Sequence, residues 1–286
     1  MSVQMVVSFF FILSSFSSFA LEKHYFVPEN DLYISESRKV EGKGISREQF
    51  ESVINKVENI YSSIVASKNG RLVIQRNWTD GTVNAVATQD GPIWEVQMFG
   101  GLARHEAITV DGMALVVCHE IGHHLGGAPR KRGSKWASNE GQSDYFSTAK
   151  CLRKVFIADN NKQIVAALVP PTSLIGTCKT SKSSEEDQLI CIRSGMAGMS
   201  VAKLFQSLGN EFTPPSFDKV DSSEVLETVD RHPKTQCRLD TYMAGALCSA
   251  DARIDLDTID ESIGACHAFN GDESGLRPSC WFKSKL

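Results

Sequence analysis

His119, Glu120 and His123 carry the strongest chemical signal in the chain: two imidazoles four residues apart with a carboxylate between them, in a stretch that reads as a helix. Four residues advance a helix by about 400°, so both rings leave one face a turn apart and can close on a single cation. Glu120 lies about 100° further round, where a carboxylate beside the cation can take a proton from water. Catalytic zinc usually takes three protein donors and leaves a fourth position for water, so a third ligand is required from elsewhere. Glu140 is expected to be that ligand. It opens a second helical segment, Ser138 to about Ala158, in which Asp144 follows one turn later on the same face. Asp144 is placed to accept the other ring N–H of a zinc histidine and fix its tautomer. The alternative for this pair is an amphipathic helix whose N-terminal carboxylates merely complement the helix dipole.

These side chains need elements to hold them. Val110, Ala114, Val117, Ile121 and Leu125 recur at the helical period and predict an apolar stripe opposite the two histidines. Thr109 or Asp111 is suited to cap that helix, and Gly126-Gly127 followed by Pro129 ends it. Cys118 falls on the apolar side as a core or disulfide residue, and His124 reads as a core side chain. Upstream, Phe50, Val53, Ile54, Val57, Ile60 and Ile64 predict an amphipathic helix from Ile45 to about Ser67. Three strand-like runs follow, Arg71 to Asn77, Thr82 to Thr88 and Ile93 to Phe99. Asp80-Gly81 and Asp90-Gly91 separate them as hairpin signals and predict an antiparallel meander. Gly100-Gly101 after the last run either lets a peptide backbone approach closely or makes a tight turn. Downstream, Ser184 to about Leu208 and Thr235 to Ala250 read as helices, with a loop at Pro214-Pro215.

The order of these elements resembles the M48 family of gluzincin metallopeptidases: Asn84-Ala85-Val86-Ala87, Gly100-Gly101-Leu102, His119-Glu120-x-x-His123, Glu140-x-x-x-Asp144, then His232-Pro233 and Arg238. The resemblance covers about Asn84 to Arg238. It implies an α+β, zincin-like fold, a helix and β-meander packed on the His-Glu-x-x-His helix and followed by a mainly helical C-terminal lobe. It also implies one zinc ion held by His119, His123 and Glu140, with Glu120 as general base. His232 and Arg238 would return to the site to hold substrate or the developing oxyanion, and the last strand, with Gly100 and Gly101, would be the edge that pairs with an extended polypeptide.

Residues 1–20 have an apolar stretch centred on Val7 to Leu13 and end in Ser18-Phe19-Ala20, as a signal peptide does. The expected organisation is then signal peptide 1–20, an N-terminal lobe 21–127 carrying the zinc helix, and a cysteine-containing helical lobe 128–286. A secreted or periplasmic location follows, with no integral membrane segment after cleavage. Eight cysteines, all beyond the signal, suit an oxidising compartment. Cys266 and Cys280 flank a turn-rich loop and make a sensible pair, and Cys151, Cys178 and Cys191 offer another. A net charge of −4 gives no electrostatic footprint for nucleic acid. Arg130-Lys131-Arg132 to Lys135 reads as a solvated loop, and Asn77-Trp78-Thr79 as a chance sequon. The expected function is a zinc metalloendopeptidase acting on exported or envelope polypeptides. The alternatives are a zinc amidase on peptidoglycan peptides and a catalytically silent, zinc-stabilised binding or chaperone module. Glu120 argues against silence, because a structural metal site has no use for a carboxylate beside an open position.

Overall fold

The computed structural model describes residues 21–38, 43–209 and 211–285; the expected signal peptide lies outside these. Helix α1, Arg47–Ala66, begins at a capping box in which Ser46 and Gln49 satisfy each other's backbone N–H, and it buries Phe50, Val53, Ile54, Val57, Tyr61 and Val65. It packs beside a four-stranded sheet made of β1 Lys23–Tyr25, β2 Arg71–Asn77, β3 Ala85–Asp90 and β4 Ile93–Phe99, in the order β1-β3-β4-β2. Together with the helices this is an α+β fold with a small mixed sheet.

The sheet corrects two expectations. β3 and β4 form the antiparallel hairpin that Asp90-Gly91 predicts, but β2 pairs with β4 in parallel, from Arg71↔Ile93 to Asn77↔Phe99. Asp80-Gly81 is therefore not a hairpin turn. Asp80 folds back on Thr82, accepting its N–H at 2.9 Å and its hydroxyl at 2.7 Å. The buried Arg104 guanidinium then clamps the loop through the carbonyls of Trp78 (2.9 Å) and Asp80 (3.1 Å). Held this way, the chain crosses over β4 and cannot return beside β2. β4 consequently lies inside the sheet, flanked by β3 and β2, and is not a substrate edge.

Gly100 and Gly101 also have another task. They start the short helix α2, Gly100–Arg104, beneath that loop, where a Cβ would stand 1.8 Å from the Trp78 carbonyl oxygen or 1.9 Å from that of Gly81. Both are required by close backbone packing.

Helix α3, Val110–Leu125, is capped by the Thr109 hydroxyl, and nearly every residue from Asp111 to His123 is buried. It is a central helix, enclosed on several faces, and only its entrance residue Val110 among the expected stripe is exposed. Asp111 pairs with the buried Arg193 at 2.7 Å and does not cap the helix. Helix α4, Glu140–Phe146, runs through a π-helical turn, Ser147–Cys151, into α5, Leu152–Phe156. Gly122 lets α4 approach α3, since a Cβ there would lie 3.0 Å from the Ser143 backbone. The remaining helices are α6 Asn161–Leu168, α7 Thr172–Ser181, α8 Glu185–Gly209 and α9 Thr235–Leu247. One apolar core runs from Phe26 through α1, α3 and α8 to Cys266.

Four disulfides pair all eight cysteines: Cys118–Cys151, Cys178–Cys191, Cys237–Cys280 and Cys248–Cys266. They fit an oxidising, exported environment. The Cys266–Cys280 pair does not form. Trp281 inserts fully buried against Gly141 and donates its indole N–H to Thr241 at 2.9 Å, which carries Cys280 to Cys237 on α9. Cys266 instead donates its backbone N–H to the Tyr145 hydroxyl and sits at the α9 terminus beside Cys248. Among the described residues no helix is long and apolar enough to cross a membrane.

Candidate metal centre

His119 and His123 leave α3 one turn apart, both fully buried. Each ring has one nitrogen committed. His119 Nδ1–H donates to Asp144 Oδ1 at 2.7 Å, and His123 Nδ1–H donates to the Ser138 carbonyl at 2.9 Å. In both rings this leaves Nε2 as the nitrogen turned toward the centre, buried and without a hydrogen-bond partner. The two Nε2 atoms face Glu140: His119 Nε2 is 3.3 Å from Oε2 and His123 Nε2 is 3.8 Å from Oε1. A tetrahedron built on zinc–nitrogen and zinc–oxygen bonds of about 2.0–2.1 Å has edges of roughly 3.3–3.4 Å. The His119 spacing to Glu140 matches such an edge and the His123 spacing is somewhat longer, and each His already has the outer hydrogen bond that orients a metal-binding imidazole.

His24, which has no motif around it, groups with two of these donors, His123 and Glu140. It sits on β1 and is buried, its ring centroid 4.7 Å from that of His123. Its Nε2–H donates to Glu22 at 3.0 Å, and its Nδ1 is buried and unpartnered. One ligand atom each from His24, His123 and Glu140 lies within 4.8 Å of the others. A second such group, Asp221 with Cys237 and Cys280, has both sulfurs tied in a disulfide and offers no thiolate.

Glu120 is fully buried with both carboxylate oxygens unpartnered. Burial raises its carboxyl to about 8, with His119 and Arg238 pulling the other way. Burial alone would lower His119, but the Asp144 and Glu140 carboxylates outweigh it and raise the imidazole to about 9. For His123 burial prevails and holds it well below its ordinary value. Burial would push Glu140 up, yet His232, His123 and His119 together hold it well below the usual carboxylate range. Unpartnered imidazole nitrogens, an ionised Glu140 and an unpartnered Glu120 form a buried polar cluster that proteins rarely leave uncompensated. A divalent cation would satisfy it.

The structure separates His232 from Arg238. His232, from the loop before α9, reaches the rim of the centre: its Nε2 is 3.1 Å from Glu140 Oε2 and 2.8 Å from the Tyr25 carbonyl, with the side chain 21% exposed. Arg238 is fully buried and pairs with Asp144 Oδ1 at 2.6 Å, its guanidinium carbon 3.8 Å from the Phe205 ring centre. Its guanidinium supports Asp144 from within the core. Tyr242, absent from the sequence expectations, donates its hydroxyl to the same oxygen at 2.8 Å. His124 stacks between Trp94 and Trp136, away from the donor set.

No family model, no curated protein and no solved structure matches this chain. The functional reading rests on the geometry of these side chains.

Proposed function

We propose that this chain is an exported zinc-dependent metalloendopeptidase, related to the M48 family that its motif order resembles. One observation carries the reading: Glu120, fully buried with no hydrogen-bond partner, feels the charges of His119 and Glu140, and the Nε2 atoms of His119 and His123 face that same Glu140 carboxylate. A zinc ion held by these three would polarise a scissile carbonyl and make water acidic enough to attack near neutral pH. Glu120 takes the proton of the attacking water and delivers it to the leaving amine. In the metal-free centre burial raises this carboxyl to about 8, and the charge of a bound zinc ion would pull it back toward the ionised form that a base requires. His232 Nε2–H, which already donates to a main-chain carbonyl, is the donor available to a substrate carbonyl at the rim. Asp144, Arg238 and Tyr242 keep the His119 ring fixed.

The zinc-stabilised silent module is the second reading, favoured by the near-complete burial of the donors, Glu140 being only 6% exposed. Incubating the zinc-loaded mature chain with a proteome-derived peptide library, with and without chelator, separates the two. The endopeptidase reading expects chelator-sensitive cleavage that His119→Ala abolishes together with zinc content. Zinc bound at full stoichiometry with no cleavage by the wild type or by a variant whose site has been opened supports the silent module.

A further inference from the structure

The metalloendopeptidase reading needs a free sheet edge and an open metal position, and the segment around β1 covers that edge and brings His24 beside two of the donors. β1 lies antiparallel on β3, with Lys23↔Thr88, His24↔Ala87 and Tyr25↔Val86 in register. Without β1, β3 would be the sheet edge, and an extended polypeptide adds to a sheet at such an edge. The grip on this segment is largely made through main-chain atoms. Phe26 N–H donates to the Ala85 carbonyl at 3.0 Å, while Asn84 accepts from Val27 N–H at 3.1 Å and donates to the Val27 carbonyl at 3.2 Å. On the other side, His232 donates to the Tyr25 carbonyl at 2.8 Å. Contacts to backbone atoms do not depend on side-chain identity, which is how a peptidase holds varied substrates.

His24 is the side chain that this segment turns inward. Glu22 takes its Nε2–H and is itself held by the Ser134 hydroxyl at 3.0 Å, so Nδ1 keeps its lone pair. That atom is buried and unpartnered, and one ring nitrogen of His24 lies within 4.8 Å of ligand atoms of His123 and Glu140. The arrangement repeats the pattern of His119 and His123, with one nitrogen fixed by an outer acceptor and the other unpartnered toward the centre.

We propose that His24 is a fourth metal ligand and that residues 21–25 are a built-in occupant of the peptide-binding edge, holding the enzyme latent. A site closed by four protein donors has no position for water, whereas a catalytic site keeps one. The segment is hinged at Phe26 and Val27, which are locked in the core, while Leu21 and Tyr25 are each 44% exposed. Displacing residues 21–25 withdraws His24 and frees the β3 edge together, leaving the core anchor in place. The occupant that displaces it is an unfolded or extended polypeptide segment, able to make the same main-chain contacts.

The test uses the full mature chain loaded with cobalt in place of zinc, which reports the number of donors through its visible absorption. Wild-type protein is expected to show a four-coordinate spectrum that acetohydroxamate leaves unchanged. His24→Ala should weaken metal binding by tenfold or more, make the spectrum respond to acetohydroxamate, and raise peptide cleavage by the zinc form. Glu22→Ala, which keeps His24 but frees its ring, should give an intermediate response and guards against a folding defect in the first variant. Metal retained in His24→Ala with wild-type affinity and spectrum, or a wild-type spectrum already sensitive to acetohydroxamate, overturns the latency while leaving the metal centre standing. Absence of bound metal in the wild type overturns both. His123→Ala marks that difference, because it should lose metal only if the centre is real.

Discussion

Asp144 Oδ1 accepts three donors at once, and the shortest comes from Arg238: Nη2 at 2.6 Å, with His119 Nδ1 at 2.7 Å and the Tyr242 hydroxyl at 2.8 Å. All four residues are fully buried. The carboxylate charge that aligns the His119 ring is thus balanced by a guanidinium enclosed among Phe26, Phe205 and Tyr242. Burial works against its charge, but the field of Asp144, with Tyr242 and Glu140, outweighs it and holds Arg238 fully protonated. Orientation of the metal-binding imidazole depends on an ion pair that never meets solvent.

Removing one partner of such a pair leaves the other charge buried alone, which typically costs about 3–5 kcal/mol. Arg238→Met should lower the unfolding free energy of the metal-free protein by that order, measured by urea denaturation. Tyr242→Phe removes a single neutral donor and should cost about 1–2 kcal/mol. Equal losses in the two variants would show that Asp144 is not ionised in the fold.

Glu140 and Asp144 differ in distance from the donor nitrogens as well as in partners. Glu140 lies 3.3 Å from His119 Nε2, whereas Asp144 touches the Nδ1 side of the same ring. Glu140→Ala should therefore nearly empty the centre, while Asp144→Asn, which keeps the volume and loses the charge, should weaken zinc by about ten- to a hundredfold. Competition with a metal indicator gives both constants. The reverse order would exchange the two roles.

The Cys118–Cys151 bridge ties α3, at the residue before His119, to the end of the π-helical turn that follows α4. It spans 33 residues, a loop whose closure is worth about 4 kcal/mol in the chain-entropy account. The double variant Cys118→Ser, Cys151→Ser should lose stability of that order. It should also bind zinc less tightly, because α3 and α4 supply the histidines and Glu140. A stability loss with unchanged zinc affinity would show that packing at Gly122 and Ser143 alone sets the spacing of the two helices.

Whatever is encoded within one helix was legible in the sequence. The four-residue spacing of His119 and His123 dictates a shared face, and the same spacing puts Glu140 and Asp144 together on α4. What depends on partners distant in sequence was not. Asp80-Gly81 carries a local hairpin signal, but the clamp that overrides it comes from Arg104, 24 residues beyond Asp80. Cys266 and Cys280 are near in sequence, yet burial of Trp281 decides where Cys280 goes. His24 is the extreme case. It reaches the centre because a three-residue strand pairs with β3, and neither its neighbours nor any periodicity announce it.

Glu120 yields the last prediction, since burial that prepares it as a base also burdens the metal-free fold. Its carboxyl is raised from an ordinary value of 4.5 to about 8. Between those pH values the unfolded chain has released the proton and the folded chain still holds it, so stability falls as pH rises through the window. The effect is at most about 5 kcal/mol. Glu120→Gln carries no titrating group, so in chelator it should be more stable than the wild type at pH 8, and the advantage should shrink as pH falls toward 4.5. With zinc restored, the same variant should keep the metal and lose about a hundredfold to ten-thousandfold in turnover. Thermal unfolding of both proteins across this pH range, together with cleavage rates at saturating zinc, measures each part. A variant that is no more stable at pH 8 would place Glu120 in a wetter site than the structure shows, and one that cleaves at the wild-type rate would remove it from the reaction.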